Sequence, residues 1–162
     1  MGALKALVIG GAGFIGSHVV DRCLEMGVQV VVFDNFSTGK MRFLPDIPEC
    51  LIEEGDILDG ARLSGVVKAF SPDLVFHLAA IHHIPTCERL PEKALRVNIE
   101  GTAEVLQACA RNGTPRLVFA STGALYDPTV TTILTENTQV KAFDIYSISK
   151  LTCEYLLRYH AA

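Results

Sequence analysis

The sequence predicts an α/β protein: a doubly wound parallel sheet of order 3-2-1-4-5 with helices on both faces. Three observations lead there. Short, nearly all-apolar runs alternate with longer runs of helical spacing, and strands apolar along their whole length belong to parallel sheets covered on both sides. A glycine-rich turn joins the first strand run to the first helical run, as where a dinucleotide sits on a helix start. The chain has 162 residues, 49% of them apolar, which makes one domain with a core that needs no disulfide or metal.

Leu4 to Ile9 is the first strand run, and Phe14 to Met26 has helical spacing that stops at Gly27, a good residue just past a helix end. Val28 to Phe33 is a second buried strand, β-branched almost throughout. Leu51 to Glu54 and Leu74 to Leu78 read as two more, with a helix from Asp59 to Phe70 between them. Pro91 to Arg111 reads as one long amphipathic helix, with proline tolerated in its first turn and Asn112-Gly113 ending it. Arg116 to Ala120 is a fifth strand, and Asp144 can cap a last helix, Ile145 to His160. Right-handed crossovers then place the strands in the order given. Two long loops, Asn35 to Cys50 and Gly123 to Phe143, are of the length that usually carries function.

Composition excludes several classes. Lys plus Arg is 14 against 18 Asp plus Glu, a net charge of −4, which argues against a nucleic-acid surface. No apolar run approaches the ~20 residues of a membrane helix. Cys23, Cys50, Cys87, Cys109 and Cys153 are an odd, scattered set without a Cys-x-x-Cys pair, so they read as reduced thiols packed like small apolar residues. The N-terminus runs into a glycine turn rather than a cleavage site. Together these point to a cytoplasmic protein with neither nucleic acid nor membrane as partner.

Gly10, Gly13 and Gly16 lie within GGAGFIGSH. At such a turn the backbone must approach a pyrophosphate with no Cβ in the way, and the helix start offers N–H groups and a positive dipole end. Asp34 follows Gly16 by 18 residues, at the end of the second strand. A carboxylate there accepts hydrogen bonds from an adenosine ribose and repels a 2′-phosphate, favouring NAD over NADP, although Lys40 and Arg42 could meet a phosphate. With this fingerprint the fold is Rossmann-type. Tyr146 and Lys150 lie one turn apart on one helix face. A tyrosine near pKa ~10 is a poor base at neutral pH, and a neighbouring ammonium favours its phenolate. Bringing it to around 7 takes roughly 4 kcal/mol.

On these residues the chain resembles the N-terminal portion of an extended short-chain dehydrogenase/reductase of the NAD-dependent epimerase/dehydratase family. The likeness runs through GGAGFIGSH at 10–18, DNFSTGK at 34–40, GDI at 55–57, HLAA at 77–80, VNIEGT at 97–102, FASTGALYD at 119–127 and YSISK at 146–150. It implies that Gly10, Gly13, Phe14, Ile15 and Gly16 cradle the NAD phosphates, while Asp34 and Asn35 meet the adenosine and Asp56 and Ile57 flank the adenine. Leu78, Ala79, Ala80 and Asn98, with Tyr146 and Lys150, would line the rest of the cofactor. The implied catalytic set is Thr122, Tyr146 and Lys150. Thr122 would hydrogen-bond the reacting sugar oxygen, Tyr146 would move the hydroxyl proton, and Lys150 would bind the nicotinamide ribose and hold the phenolate.

Within the family, dehydratases and decarboxylases resemble patterns with carboxylates just after the hydroxyl residue. Gly123 and Ala124 stand there and cannot transfer a proton. The implied activity is therefore epimerisation of a nucleotide sugar through a transient keto-sugar, and the Asn35–Lys40 loop is similar to that of 4-epimerases of UDP-sugars. Another reductase of the family, or a non-catalytic dinucleotide-binding module, are the alternatives. The resemblance also implies a homodimer through helices 91–111 and 145–160. It implies a single NAD-binding domain over residues 1–162, with the substrate domain absent from this chain, so that epimerase activity is expected of the parent protein and little or none of the chain by itself. Two places depart from the pattern. Phe143-Asp144-Ile145 stands where a proline and a small residue are commoner before the tyrosine. His82 and His83 replace smaller or polar residues, and with Cys87 they suggest loop and packing positions rather than a metal site.

Overall fold

The computed structural model describes residues 2–127, 129 and 133–161. The strands are β1 (Lys5–Ile9), β2 (Gln29–Asp34), β3 (Cys50–Glu54), β4 (Leu74–His77) and β5 (Leu117–Phe119). The helices are α1 (Phe14–Glu25), α2 (Gly60–Phe70), α3 (Ile84–Arg89), α4 (Pro91–Leu95), α5 (Gly101–Arg111) and α6 (Ile145–Ala161). By its internal contacts the chain divides into two units, Met1–Ala79 with Gly101–Ala120, and Ala80–Glu100 with Ser121–Ala162.

The first unit holds the whole sheet, ordered β3-β2-β1-β4-β5 and parallel at every pairing. This is the order expected from the sequence. Along β1 and β2 the side chains alternate between faces. Ala6, Val8, Val30 and Val32 form one buried cluster with Val20 and Cys23 of α1 and with Cys50. The other set, Leu7, Ile9, Val31 and Phe33, is equally buried, as are Leu63 and Val67 of α2 and Val105 of α5. Each such fully buried side chain stabilises the fold by roughly 1.5–3 kcal/mol. The helix ends match their sequence signals: Gly27 and Gly113 take positive φ of 74° and 68°, and the Asp59 carboxylate accepts the Arg62 N–H at 3.0 Å to cap α2.

The second unit contains α3, α4 and α6. The Asp144 carboxylate accepts the Ser147 N–H at 2.9 Å, so the expected cap of α6 is formed. The expected single helix Pro91–Arg111 is interrupted: α4 passes into a π-helical turn, Arg96–Glu100, before α5. The cause is Asn98. Its carboxamide nitrogen donates to Ile81 O at 3.1 Å and to Ser149 Oγ at 3.0 Å, and its backbone carbonyl accepts from the Cys153 thiol at 3.1 Å. A side chain and carbonyl held from outside in this way open the regular ladder. No run of spacing in the sequence announces α3, a short helix with Pro85 in its first turn.

Of the loop Gly123 to Phe143, residues 128 and 130–132 lie outside the described residues. Its two arms meet at an antiparallel bridge, Tyr126 with Val140. Lys141 N–H donates to Leu125 O at 2.7 Å and its ammonium donates to Asp127 at 2.9 Å. All five cysteines are buried thiols outside any disulfide, as the sequence suggests. Among the described residues no helix is long and apolar enough to cross a membrane.

Candidate functional site

In the first unit the site grows from the end of β1. Gly10 has φ +83°, and a Cβ there would stand 2.6 Å from Ala79 N and 2.9 Å from Ala79 Cα. Only glycine allows that approach. Leu78 and Ala79 both donate their N–H to Ile9 O, at 2.8 and 3.1 Å. The expected cofactor residues Gly10, Leu78 and Ala79 therefore meet at the ends of β1 and β4. These neighbouring strands lead away to opposite sides, the switch point where open α/β sheets take ligands. Gly16 is similarly required, because a Cβ would run into the Gly10 carbonyl oxygen.

Gly13 is the N-cap of α1 and brings no side-chain cap, and the first turn holds no acidic residue. Phe14 and Ile15 are exposed at that end. The helix start thus presents backbone N–H groups and a positive dipole end without a carboxylate competing for them.

Asp34 is 9% exposed, and its carboxylate braces the turn. One oxygen accepts the Ala12 N–H at 2.9 Å and the other the Phe36 N–H at 2.8 Å. Phe36 sits at φ +53°, a conformation uncommon outside glycine that this bond holds in place. Each carboxylate oxygen keeps a further lone pair for an incoming hydroxyl. Asn35 donates to Asp56 at 2.9 Å, and an open cavity of about 440 Å³ is lined by Asn35, Glu54, Gly55, Asp56, Asp59 and Arg62. Ile57 is buried and packs against Gly101. Lys40 N–H is bonded to Ala12 O at 3.0 Å, and the cations of Lys40 and Arg42 lie 5.9 and 5.3 Å from the Phe43 ring centre.

In the second unit, Tyr146 and Lys150 occupy successive turns of α6. Thr122 caps the 3-10 turn Gly123–Leu125, its hydroxyl accepting the Ala124 N–H at 3.1 Å. Burial pushes the Tyr146 phenol up from its ordinary value; hydrogen bonding from Thr122 works against this, and Cys87 and Asp144 add to it. Burial also lowers Lys150 to about 8. Loss of solvent is the largest influence at both groups in the chain alone. A cavity of about 360 Å³ is lined by Gly123, Ala124, Tyr126, Asp127, Phe143 and Asp144 together with Ile84 and Leu134. The small pair after Thr122 thus borders open space.

Asn98 is buried at 2% exposure, and besides the bonds above its carboxamide oxygen accepts the Ile81 N–H at 2.8 Å. It ties the stretch after Ala80 to α6, since Ser149 also donates to Tyr146 O at 2.7 Å. Composition and spacing do not reveal this tether; the serine at 149 inside YSISK is its one trace in the sequence. The Cys87 thiol donates to Ile81 O at 3.3 Å and the His83 ring pairs with the Thr86 hydroxyl at 2.9 Å. Among the described residues no three His, Cys, Asp or Glu side chains gather as metal ligands. His18 is an exposed helix residue set edge-on to Phe14.

Comparison with known proteins agrees with this geometry. Residues 6–162 match the profile of the NAD dependent epimerase/dehydratase family. The UDP-glucose 4-epimerase of Azospirillum brasilense is 33% identical over 155 residues, covering 95% of this chain and 44% of that protein. The crystal structure of the Brucella ovis UDP-glucose 4-epimerase in complex with NAD superposes with a TM-score of 0.93 at 34% identity, over 98% of this chain and 48% of that one. The Thermotoga maritima UDP-glucose 4-epimerase with UDP-glucose gives 0.91 at 35% identity, over 98% and 51%. The chain spans less than half the length of the curated relatives it matches.

Proposed function

Because the chain belongs to the NAD dependent epimerase/dehydratase family, we propose that it is the dinucleotide-binding and proton-transfer portion of an NAD-dependent epimerase of nucleotide sugars, of the UDP-hexose 4-epimerase type. The observation that carries this reading is Tyr146 one helical turn from a buried Lys150 on α6, in the same unit as Thr122 at the head of the Gly123–Leu125 turn. A proton-transfer couple of this kind has no use in a module that only binds nucleotide.

The residues present fit NAD. Gly10 and Gly16 leave backbone open to a pyrophosphate, and the uncapped start of α1 receives its charge. Asp34 offers its remaining lone pairs to the adenosine ribose and repels a 2′-phosphate, and the cavity beside Asn35 and Asp56 takes the adenine. When bound, NAD supplies a hydride acceptor whose positively charged ring favours the phenolate.

Tyr146 takes the proton of the sugar hydroxyl and later returns it, while Thr122 holds that oxygen in place. Lys150, an ammonium at neutral pH, holds the phenolate and the nicotinamide ribose. Gly123 and Ala124 leave room for the keto-sugar to turn and present its other face, and they carry no acid that could drive elimination. The outward residues Ile148, Tyr155 and Tyr159 form an apolar stripe on α6, which supports a homodimer through the helices of residues 91–111 and 145–160.

The test is a single-turnover experiment with bound NAD and a UDP-hexose, following the near-ultraviolet band of reduced nicotinamide. The whole protein that carries this portion should develop that band, and its Tyr146→Phe variant should still bind NAD but develop it at least ~100-fold more slowly. Equal rates would remove Tyr146 from the chemistry.

A further inference from the structure

The first turn of α6 carries Tyr146, and a helix start leaves backbone N–H groups without partners inside the helix. Two carboxylates take them here. Asp144 receives the Ser147 N–H through one oxygen and the Ser147 hydroxyl through the other, both at 2.9 Å. The Ile145 N–H donates to Glu88 Oε1 at 3.0 Å, from α3 and 57 positions earlier in the chain. Asp144 therefore has both oxygens engaged, and Glu88 is the acceptor for Ile145.

The place of Glu88 is set by its neighbour. Cys87 is fully buried and its thiol donates to Ile81 O at 3.3 Å, which fixes the short helix α3 on the same stretch of backbone that Asn98 holds. A proline before Tyr146 would preset the turn by its ring and would have no N–H to give. Ile145 lacks that ring and brings an N–H, and Glu88 receives it. The charge-assisted bond also places a negative group at the positive end of the helix.

We propose that Glu88 is a positioning residue for Tyr146: its carboxylate, fixed through α3, holds the Ile145 N–H and so the turn of α6 that aims the phenol. The catalytic purpose of that aim rests on the functional reading above, while the tether itself does not. The groups that act on the phenol are the Thr122 hydroxyl, Cys87 of α3 and Asp144.

The test compares Glu88→Ala and Glu88→Gln with the wild type by amide hydrogen exchange at Ile145 and by the ring-carbon NMR line of Tyr146, assigned by its loss in Tyr146→Phe. In Glu88→Ala, Ile145 exchange should rise roughly tenfold and the Tyr146 line should move, with exchange in β1 unchanged. Glu88→Gln keeps an acceptor oxygen and should restore both. An unchanged Ile145 in Glu88→Ala, or a Glu88→Gln protein indistinguishable from Glu88→Ala, overturns the proposal. Should Glu88→Ala not fold, a folded Glu88→Gln with wild-type Ile145 exchange upholds the tether, and fast exchange there overturns it. Neither readout uses NAD or sugar. A tether that is intact while Tyr146→Phe keeps full hydride transfer would sink the functional reading alone.

Discussion

Replacing Gly10 by alanine separates close backbone approach from simple conformational strain. A Cβ at Gly10 meets Ala79 N at 2.6 Å and Ala79 Cα at 2.9 Å, both backbone atoms at the end of β4. Left-handed φ in a non-glycine residue costs about 1–2 kcal/mol, and forcing a methyl into packed backbone costs a further ~1–3 kcal/mol. At roughly 2–4 °C per kcal/mol for a chain of this size, the melting temperature should fall by roughly 4–20 °C. Gly27 is the control: its φ is +74° but nothing lies within 4 Å of its Cβ position, so Gly27→Ala should lose only the strain, about 2–8 °C. Gly65 in α2 has open space and ordinary φ, and Gly65→Ala should raise the melting temperature by about 1–4 °C. Thermal unfolding followed by circular dichroism, without nucleotide, reads all three. If Gly10→Ala and Gly27→Ala fall equally, the approach of β1 to Ala79 contributes nothing and the steric account of the turn is wrong.

Three further outcomes are expected. Lys150 is held at about 8 against 10.5 in an unfolded chain. Between those pH values the unfolded state keeps a proton the folded state has lost, so this group adds stability as pH rises. The stability of wild type relative to Lys150→Met should therefore climb by roughly 3 kcal/mol from below pH 8 to above pH 10.5, measured by urea unfolding; the buried thiols, which act in the opposite sense, cancel in the comparison, and a flat difference refutes it. Asp127 is held down to about 2 by Lys141 and Thr129, so its bonds persist down to that pH; Lys141→Ala should move its carboxyl NMR midpoint back toward the ordinary 3.8. If α6 forms a dimer contact, the double variant Tyr155→Glu, Tyr159→Glu should sediment as a monomer where the wild type sediments as a dimer, with unchanged helix content.

The sheet was legible because its strands are buried on both faces and announce themselves as unbroken apolar runs, so β1, β2 and the order around them follow from local pattern and chirality alone. The glycine turn was legible for a related reason: at Gly10 and Gly16 a Cβ would meet neighbouring backbone. What spacing could not show is where long-range polar bonds fall. Asn98 reads as a cofactor-lining residue of a regular helix, and its bonds to Ile81 and Ser149 at the π turn have no local signal. Asp34 reads as a ribose ligand, and the structure shows it also bracing Ala12 and Phe36. Tyr146 and Lys150 are recognisable as a pair, but their proton affinities also depend on burial, which spacing does not show. Glu88 carries no local signal at all, since its partner lies 57 residues away.

The central claim is that the turn at Gly10–Gly16 and the carboxylate of Asp34 form an NAD site. Calorimetric titration of the protein with NAD and, separately, with NADP tests it most directly. The account predicts one saturable site per chain with NAD bound at least roughly tenfold more tightly than NADP, and no detectable binding to Gly16→Ala. Comparable affinity for the two nucleotides would contradict the role of Asp34. Binding that survives unchanged in Gly16→Ala would contradict the site itself.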